Sequence, residues 1–578
     1  MGEWKKTQCD MCAVSCGIEV EIENDEIINV RPDPDSPRTS NYMCRKGRAA
    51  KYFVHNEDRL NYPLKKVGDH FERISWQQAY AEISQRANAI LKEHGPRAFA
   101  FCGGTLASEQ SEAALAKTFV SNAIGSQYWY CPIGLEFMGT WWSHGKILGH
   151  QMYFTEPDEK RNEVLIFWGS NSYVSHQMAD ARKIIRRFSQ DAEKMVITVD
   201  PRLSETARMS DMHIPVRNGT DALFLRALIS LILKKGWQHQ NYLDRWAGDW
   251  DRAKRWYENV DIEGSMRVCG ISMELAEKFA HVLTHKKWGM HQDLGVFCSR
   301  HNTVTCYLLL VLQAVCGVLL MPGGCIVQDV FAGRGESSDE NDPKTWRTVE
   351  TGKFPVLGVY PVAVIPAEIQ SKNPDHLRAM FFTQTNPARS YPNSKAMEAA
   401  FKDLELMVVV DIVMTETARL ADYVLPAKSS YEAYAFSTFQ GGFPEVGCWL
   451  KHPVITAQIG ERREGGMIWV DLAKNMGLLP KIPASLYRAA DKAARTGDRI
   501  LYFTQLLMLA AQDKHNEVSF QASPNYVMIP HHFGFTFNGK TIGINANDFT
   551  ASEDIDELTG NPLLRYIPCR VERVEESA

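Results

Sequence analysis

The chain opens with a cysteine set whose spacing leaves few choices for what its first fifty residues can become. Cys9, Cys12 and Cys16 form a tight C-x2-C-x3-C triple, and Cys44 follows after a longer gap, leading straight into Arg45-Lys46-Gly47. Four thiolates converging on one point suit a cubane iron–sulfur cluster. They also suit a tetrahedral structural zinc, although zinc knuckles usually set two C-x2-C pairs face to face and this triple does not. Between the third and fourth cysteines the sequence alternates as strands do: Gly17 to Ile22, a turn at Asn24-Asp25, then Ile27 to Val30. A hairpin is expected there, able to hold four ligands around a common centre.

At 578 residues the chain exceeds what one hydrophobic core serves, so several domains are expected. A formal charge of -5 gives no sign of the clustered basic face that a nucleic-acid partner needs. The cysteines number 13, an odd count, and those after the first four are scattered through apolar stretches. That pattern reads as buried thiols in a reducing compartment, not a disulfide framework. The first residues carry neither an apolar signal region nor a twin-arginine pair. The most apolar run, Cys306 to Met321, is interrupted by Gln313 and Gly317 and is too short to span a bilayer. The expected location is the cytoplasm or the cytoplasmic side of a partner, with no direct membrane span.

The body of the chain repeats one rhythm. Ser75 to Gly95 reads as a helix: Ser75 and Gln78 form a capping box, Tyr80, Ile83, Ala87, Ile90 and Leu91 recur at helical spacing, and Gly95-Pro96 stops it. A short apolar strand, Ala98 to Phe101, runs into Cys102-Gly103-Gly104, and a helix is expected over Glu109 to Ala123. Further apolar strands end in turns: Val164 to Trp168 before Gly169-Ser170-Asn171, Met195 to Val199 before Asp200, Met380 to Phe382 before Thr383-Gln384-Thr385-Asn386, Leu406 to Val410 before Asp411. Nearly continuous apolar strands imply parallel sheets covered on both faces. They fall into two groups, before and after residue 330, with a polar stretch from Arg334 to Lys353 between them. Two Rossmann-like α/β lobes are expected.

At the carboxyl end of a parallel strand, backbone amides and helix N-termini attract phosphate, and a carboxylate can accept from a ribose or a base edge. Asn171, Gln384 and Asn386 sit in such turns, and Asp200 and Asp411 at such ends. Each would serve equally as a strand-capping turn; two similar sets after two strand groups favour a paired nucleotide ligand. There is no G-x-G-x-x-G, so NAD and FAD are not indicated.

In these stretches the chain resembles the molybdopterin oxidoreductases, the group that includes formate dehydrogenases, periplasmic nitrate reductases, polysulfide reductases and acetylene hydratases. The resemblance rests on the cysteine set with Cys44-Arg45-Lys46-Gly47, on Trp168 to Asn171, on Asp200 to Ala207 with Ile214 to Asp221, on Met321-Pro322-Gly323-Gly324, and on Thr415 to Ala418 leading to Ala421 to Ala427. It covers about residues 7 to 478, with a further match in the tail. It implies a 4Fe-4S cluster on Cys9, Cys12, Cys16 and Cys44, and two molybdopterin guanine dinucleotides holding one Mo or W. Asn171, Asp200, Arg202, Thr206 and Asp221 would serve one dinucleotide; Gln384, Asn386, Asp411 and Asp422 the other, with Asn547 in the closing signature. Lys46 would lie between cluster and pterin. The implied division is residues 1–60 for the cluster, 61–130 with 335–478 for one lobe, 131–334 for the other, and 479–578 for a pterin-capping domain.

The residue ligating the metal follows the first βα unit in this family, where Cys131 stands; a soft thiolate suits a high-valent metal already held by sulfur. Its ordinary alternative is a buried core thiol. Formate dehydrogenases place a His directly after the ligand, where this chain has Pro132. Acetylene hydratases place an acid directly after the second cluster cysteine, where it has Ala13, with Asp10 on the other side of Cys12. Glu136, His144, His150 and His176, and His291, Cys298, Arg300 and His301, are weaker candidates for lining the site. The family's last domain is a β-barrel. Its closing signature runs from His531 to Phe535 and from Asn545 to Thr550, but the body before it is short, and Arg499 to Gln512 reads as a helix. A shortened barrel remnant is expected. The leading reading is a catalytic subunit doing two-electron oxygen-atom or hydride-type transfer on a small molecule, wired through the cluster to a ferredoxin-like subunit. The alternatives are a non-redox hydratase and a pterin-less wiring subunit.

Overall fold

The structure is a computed structural model. It describes residues 2–478 apart from 13, 37–38, 40, 105–110, 176–177, 179, 249, 328–336, 434, 438–446 and 452, and beyond 478 only five short strands. His176, Asn547, the helix expected over 499–512 and most of the closing signature lie outside the described residues.

Strands β1 (Glu3–Gln8), β2 (Gly17–Glu23) and β3 (Glu26–Pro32) form an antiparallel sheet. β2 and β3 are the expected hairpin, and Asn24 and Asp25 turn it with φ of 52° and 63°. That left-handed pair matches the twist of the flanking strands. β1 pairs with β2 from Glu3–Ile22 to Gln8–Gly17, which delivers Cys9 beside Cys16: the Cys9 N–H donates to the Cys16 carbonyl at 2.9 Å.

The chain then lays down β4 (Leu64–Val67), β5 (His70–Arg73), the helix Trp76–His94, β6 (Phe99–Gly103) and β7 (Trp129–Tyr130). The helix begins as its capping box requires, Ser75 Oγ accepting from the Gln78 N–H at 3.1 Å, and Gly95 ends it at φ 72°. Next come β8 (Thr155–Pro157), β9 (Val164–Trp168), β10 (Met195–Val199), β11 (Met212–Ile214), β12 (Trp288–Gln292) and β13 (Cys325–Val327). Then follow β14 (Val359–Tyr360), β15 (Ala379–Thr383), β16 (Leu406–Asp411) and β17 (Tyr423–Pro426), and after them β18 (Ala435–Ser437) and β19 (Gly447–Lys451). The apolar run after Thr303 is the buried helix Asn302–Val315. Among the described residues no helix is long and apolar enough to cross a membrane.

Two parallel sheets result. The smaller has the order β11-β10-β9-β12; the larger runs β14-β7-β6-β15-β16-β17-β4-β5, parallel as far as β17. Grouping strands by position before or after residue 330 does not predict sheet membership, since β6 lies far upstream yet pairs with β15. Parallel strands are joined by long crossovers, so chain distance is a poor guide to neighbours. Every residue of β6 and β15 is buried. Both sheets are wound alike. From β9 the chain moves outward through β10 and β11 and returns to β12 on the other side; from β15 it moves outward through β16 and β17, with β6 on the other side. The crevices between β9 and β12 and between β15 and β6 are therefore the switch points where ligands bind open α/β sheets.

The N-terminal sheet is fastened to the rest by a late segment. Tyr431, Val454 and Ile455 belong to the same apolar cluster as Cys9, Cys16, Ile18 and Val20. Beside it, Glu432 lies between two buried guanidiniums: Arg59 Nη2 reaches one carboxylate oxygen at 2.6 Å, Arg462 Nη1 the other at 2.7 Å.

Candidate active site

Cys9 and Cys16 are buried, Cys12 and Cys44 half-buried, and no disulfide joins them. The helix Arg45–Arg48 that follows Cys44 lies against Cys9. A Cβ on Gly47 would stand 2.7 Å from Met43 Cγ and 3.4 Å from Cys9 Sγ, so glycine is what lets that helix approach. Tyr42 lies within the electrostatic reach of both Cys16 and Cys44. Among the described residues no group of three or more His, Cys, Asp or Glu is gathered closely enough for a single metal ion. Three buried donors have no partner here: Thr7 Oγ1 and Gln8 Nε2, on the residues leading into Cys9, and the Tyr431 hydroxyl. Buried donors are rarely left unpaired. Their presence beside the thiols fits a group rich in sulfide acceptors. Lys46 is exposed, on the turn after Cys44.

At the two switch points the side chains repeat one construction. Asn171, just past β9, accepts from the Thr206 N–H (3.1 Å) and Thr206 Oγ1 (2.9 Å) and donates to Glu205 at 2.7 Å. Asn386, just past β15, accepts from the Thr417 N–H (3.0 Å) and Thr417 Oγ1 (2.8 Å) and donates to Glu416 at 2.6 Å. Each threonine hydroxyl in turn accepts a backbone N–H, from Tyr173 at 3.0 Å and from Ala388 at 3.1 Å. Glu205, Glu416 and Thr417 were missed in the sequence. The signal that finds them is the tetrapeptide Glu-Thr-Ala-Arg, which occurs at 205–208 and again at 416–419. The turns leave bare backbone. Gly169 has φ 62°, and a Cβ on it would stand 2.8 Å from the Val296 nitrogen; Gln384, its counterpart, has φ 52°, and a Cβ on Gly104 would collide with its carbonyl. In the first crevice the buried Gln292 Oε1 has no partner. Close backbone cradles at both switch points, with an unpaired buried polar atom in the first, fit a large polar ligand.

The remaining expected residues divide. Asp200 accepts from the Arg202 N–H at 2.8 Å, and Arg202 is exposed beside Glu205. Asp221, at the start of the helix Asp221–Lys235, accepts from Trp168 Nε1 at 2.9 Å, and burial lifts its carboxyl above the usual range. These stand at the carboxyl end of the small sheet with Asn171. Gln384 and Asp411 stand at the carboxyl end of the large one. Asp422 does not join them. It lies at the opposite end of the strands, accepting from the Met407 N–H at 2.7 Å and pairing with Arg86 at 3.3 Å. The repeat explains this: Asp211 takes the Val196 N–H in the same way at 2.8 Å, so the aspartate latches neighbouring strands in both sheets.

Glu112 was also missed. It accepts from Thr383 Oγ1 at 2.7 Å and Gln384 Nε2 at 3.1 Å. Burial, and then the facing Asp411 carboxylate, lift it to about 7 against those hydrogen bonds. Burial likewise lifts Asp411 to about 6. Between the ordinary 4.5 and about 7 the folded chain keeps a proton on Glu112 that the unfolded chain has released. Stability therefore falls as pH rises through that window. Glu112→Gln removes this fall: urea midpoints measured at the two ends of the window differ less in the variant than in the parent.

Cys131 follows β7 directly and is fully buried. Burial pushes its thiol up to about 12, while the nearby Ile133 and Gly134 N–H groups and the Lys117 ammonium act in the thiolate-favouring sense; the Gly134 N–H donates to the Cys131 carbonyl at 2.8 Å. Glu136, one turn on, acts on Cys131 and also on Asp293 and Cys298 at the end of β12, so the region past β7 meets the switch point of the small sheet. Burial and then Asp293 raise Glu136 to about 7. The histidines divide by burial. His144 is sealed in the core on Thr140 O at 2.7 Å, with burial lowering it to about 4. His291 is buried on Glu156 at 2.9 Å. His150 accepts from the Met152 N–H at 3.0 Å. Cys298, Arg300 and His301 are exposed.

The family model for molybdopterin oxidoreductases matches residues 59–475, and that for the molybdopterin oxidoreductase Fe4S4 domain matches residues 3–56. The chain belongs to the molybdopterin oxidoreductase family. Among its relatives, a probable oxidoreductase, YyaE, of Bacillus subtilis (strain 168) is 25% identical over 492 residues, 82% of this chain and 69% of the relative. The thiosulfate reductase molybdopterin-containing subunit PhsA of Salmonella typhimurium is 23% identical over 499 residues, 81% of this chain and 64% of the relative. The solved acetylene hydratase from Pelobacter acetylenicus superposes with a TM-score of 0.71 at 21% identity, covering 82% of this chain and 69% of that one, and so shares its mixed α/β fold. This molybdopterin oxidoreductase is an enzyme, and its first residues are the family's Fe4S4 domain.

Proposed function

We propose that this molybdopterin oxidoreductase is the catalytic part of a molybdenum or tungsten enzyme that transfers an oxygen atom or hydride equivalent to or from a small molecule. Electrons would pass singly through a 4Fe-4S cluster on Cys9, Cys12, Cys16 and Cys44. The observation that carries this reading is the doubled Asn–Glu–Thr construction at two equivalent switch points, which favours two dinucleotides of one kind. When bound, a pterin-held Mo or W supplies two-electron redox chemistry and Lewis acidity. Asn171, Asp200, Arg202, Thr206 and Asp221 would hold one guanine dinucleotide; Gln384, Asn386, Asp411 and Thr417 the other. Cys131 would present its sulfur to the metal, its thiolate favoured by the Ile133 and Gly134 N–H groups. Glu136 would hold or release a proton on the substrate side, and Lys46 would lie on the electron route.

On this reading the lobes divide at about residues 61–130 with 335–478 and 131–334, the onward carrier is a ferredoxin-like subunit, and the enzyme works in a reducing compartment. Retention of both constructions speaks against a pterin-less wiring subunit. Metal analysis of the purified chain tests the proposal. Iron together with Mo or W is expected, with guanine nucleotide released on acid hydrolysis. Iron with neither heavy metal would overturn it, and turnover needing no electron acceptor would replace it with a hydratase.

A further inference from the structure

A buried lysine stands beside the first cluster cysteine, and it comes from the far end of the chain. Lys451 is 3% exposed. Its Nζ bonds the Asp10 carboxylate and Ser430 Oγ, the latter at 3.2 Å, and lies 4.0 Å from the centre of the Tyr431 ring. Asp10 is the residue between Cys9 and Met11, so the pair touches the cysteine loop itself. Both charges act on Cys9, Asp10 against its thiolate and Lys451 in its favour. Tyr431 is fully buried, its hydroxyl has no partner, and its electrostatic neighbours are Cys9 and Asp10. A buried ion pair adds little to stability over well-packed apolar side chains, so packing is a poor reason to have one against a cysteine.

We propose that the Asp10–Lys451 pair and the Tyr431 hydroxyl together set the reduction potential of the N-terminal iron–sulfur cluster, Lys451 and Tyr431 acting from outside the Fe4S4 domain. The proposal rests on the reading that Cys9, Cys12, Cys16 and Cys44 bind that cluster. A cluster's potential follows the charges around it and the hydrogen bonds to its sulfurs. Taking up one electron adds a negative charge. The Lys451 ammonium stabilises that charge and the Asp10 carboxylate opposes it, both at the strength a buried site of low dielectric allows. The Tyr431 hydroxyl, a donor without an acceptor, favours the same reduced state as Lys451. Tyr431 and Lys451 are positioning residues: they act on the potential without touching substrate.

The test uses the full chain purified anaerobically, with iron and acid-labile sulfide quantified and the midpoint potential read by EPR during a dithionite titration. Lys451→Gln is expected to shift the midpoint to more negative values and Asp10→Asn to more positive ones. Tyr431→Phe should move it in the Lys451→Gln direction by less, and Lys451→Arg should stay close to the parent. Opposite signs from the two halves of one ion pair are not what loosened packing produces. Equal potentials in Lys451→Gln, Asp10→Asn and the parent, or shifts of the same sign, would overturn the proposal. If Lys451→Gln loses its iron, Asp10→Asn and Tyr431→Phe decide. A parent chain that binds no iron rejects the cysteine assignment instead, a failure seen in the metal content and not in a potential.

Discussion

Replacing Cys131 by alanine lowers turnover by more than about 100-fold, the upper end of what losing a mere outer partner of a metal ligand costs, and leaves the iron content of the chain unchanged. The residue is fully buried where β7 ends, and the nearby Ile133 and Gly134 N–H groups favour its thiolate. Alanine removes the Cys131 sulfur, while the backbone turn remains, since the Gly134 N–H still donates to the carbonyl of residue 131 at 2.8 Å. The loss stays local because Cys131 belongs to the apolar cluster of the large sheet, whereas Cys9 and Cys16 belong to that of the N-terminal sheet. Cys131→Ser, which nearly keeps the size of the side chain, retains the fold and separates lost ligation from lost packing. Metal content, EPR of the heavy metal and turnover are read together on each variant. Parental turnover and Mo or W content in Cys131→Ala would remove Cys131 from the site.

The second large effect is on stability. Glu432→Ala is expected to lower the unfolding free energy by about 3–5 kcal/mol, the usual result of removing one partner from a buried ionic group. The side chains of Glu432, Arg59 and Arg462 are 3%, 1% and 6% exposed. Arg59 also donates to the Val54 carbonyl at 2.8 Å and Arg462 to that of Leu60 at 3.0 Å, while the Ser429 N–H meets Glu432 at 2.7 Å. Without the carboxylate two guanidinium charges lie buried side by side. Burial pushes the Glu432 carboxyl up, but Arg59 and Ser429 hold it below the usual 4.5. Its contribution is therefore present above about pH 4.5 and is lost as pH falls through the lower folded value. Urea unfolding of the parent, Glu432→Gln and Glu432→Ala checks the order, with Gln intermediate. A midpoint for Glu432→Ala within error of the parent would show that the arginines find other partners.

Much of the fold was legible because parallel strands buried on both faces are apolar throughout, as β9, β10, β15 and β16 are. β1 was not legible: Trp4-Lys5-Lys6 is half-exposed, and its lysines mask a strand that lies at the sheet edge. β12 was hidden for a different reason. Its Gly289 looks like a strand breaker, yet a Cβ there would stand 2.6 Å from Pro157 Cβ, so the glycine serves the contact with β8. At the site, Asn171, Gln384 and Asn386 were readable from turns after apolar strands, and Thr206 only through the family resemblance. Glu205, Glu416 and Thr417 become visible only when the two lobes are laid over one another, and Asp422 was misgrouped because sequence does not say at which end of a strand a neighbouring carboxylate stands. The approach of Tyr431 and Lys451 to Cys9 is tertiary and leaves no local trace.

That approach also has a consequence for how the protein is made. The cysteine loop emerges from the ribosome first, but the wall carrying Tyr431, Lys451, Val454 and Ile455 emerges only when most of the chain has been synthesised. Until then the thiols face water on that side. Iron delivered early would meet an open, oxidisable nest, and iron delivered late a closed one. Closure of the cysteine loop thus waits on synthesis of residues 431–455, and a truncated nascent chain ending before Lys451 should lose its iron to a chelator far faster than one that includes them.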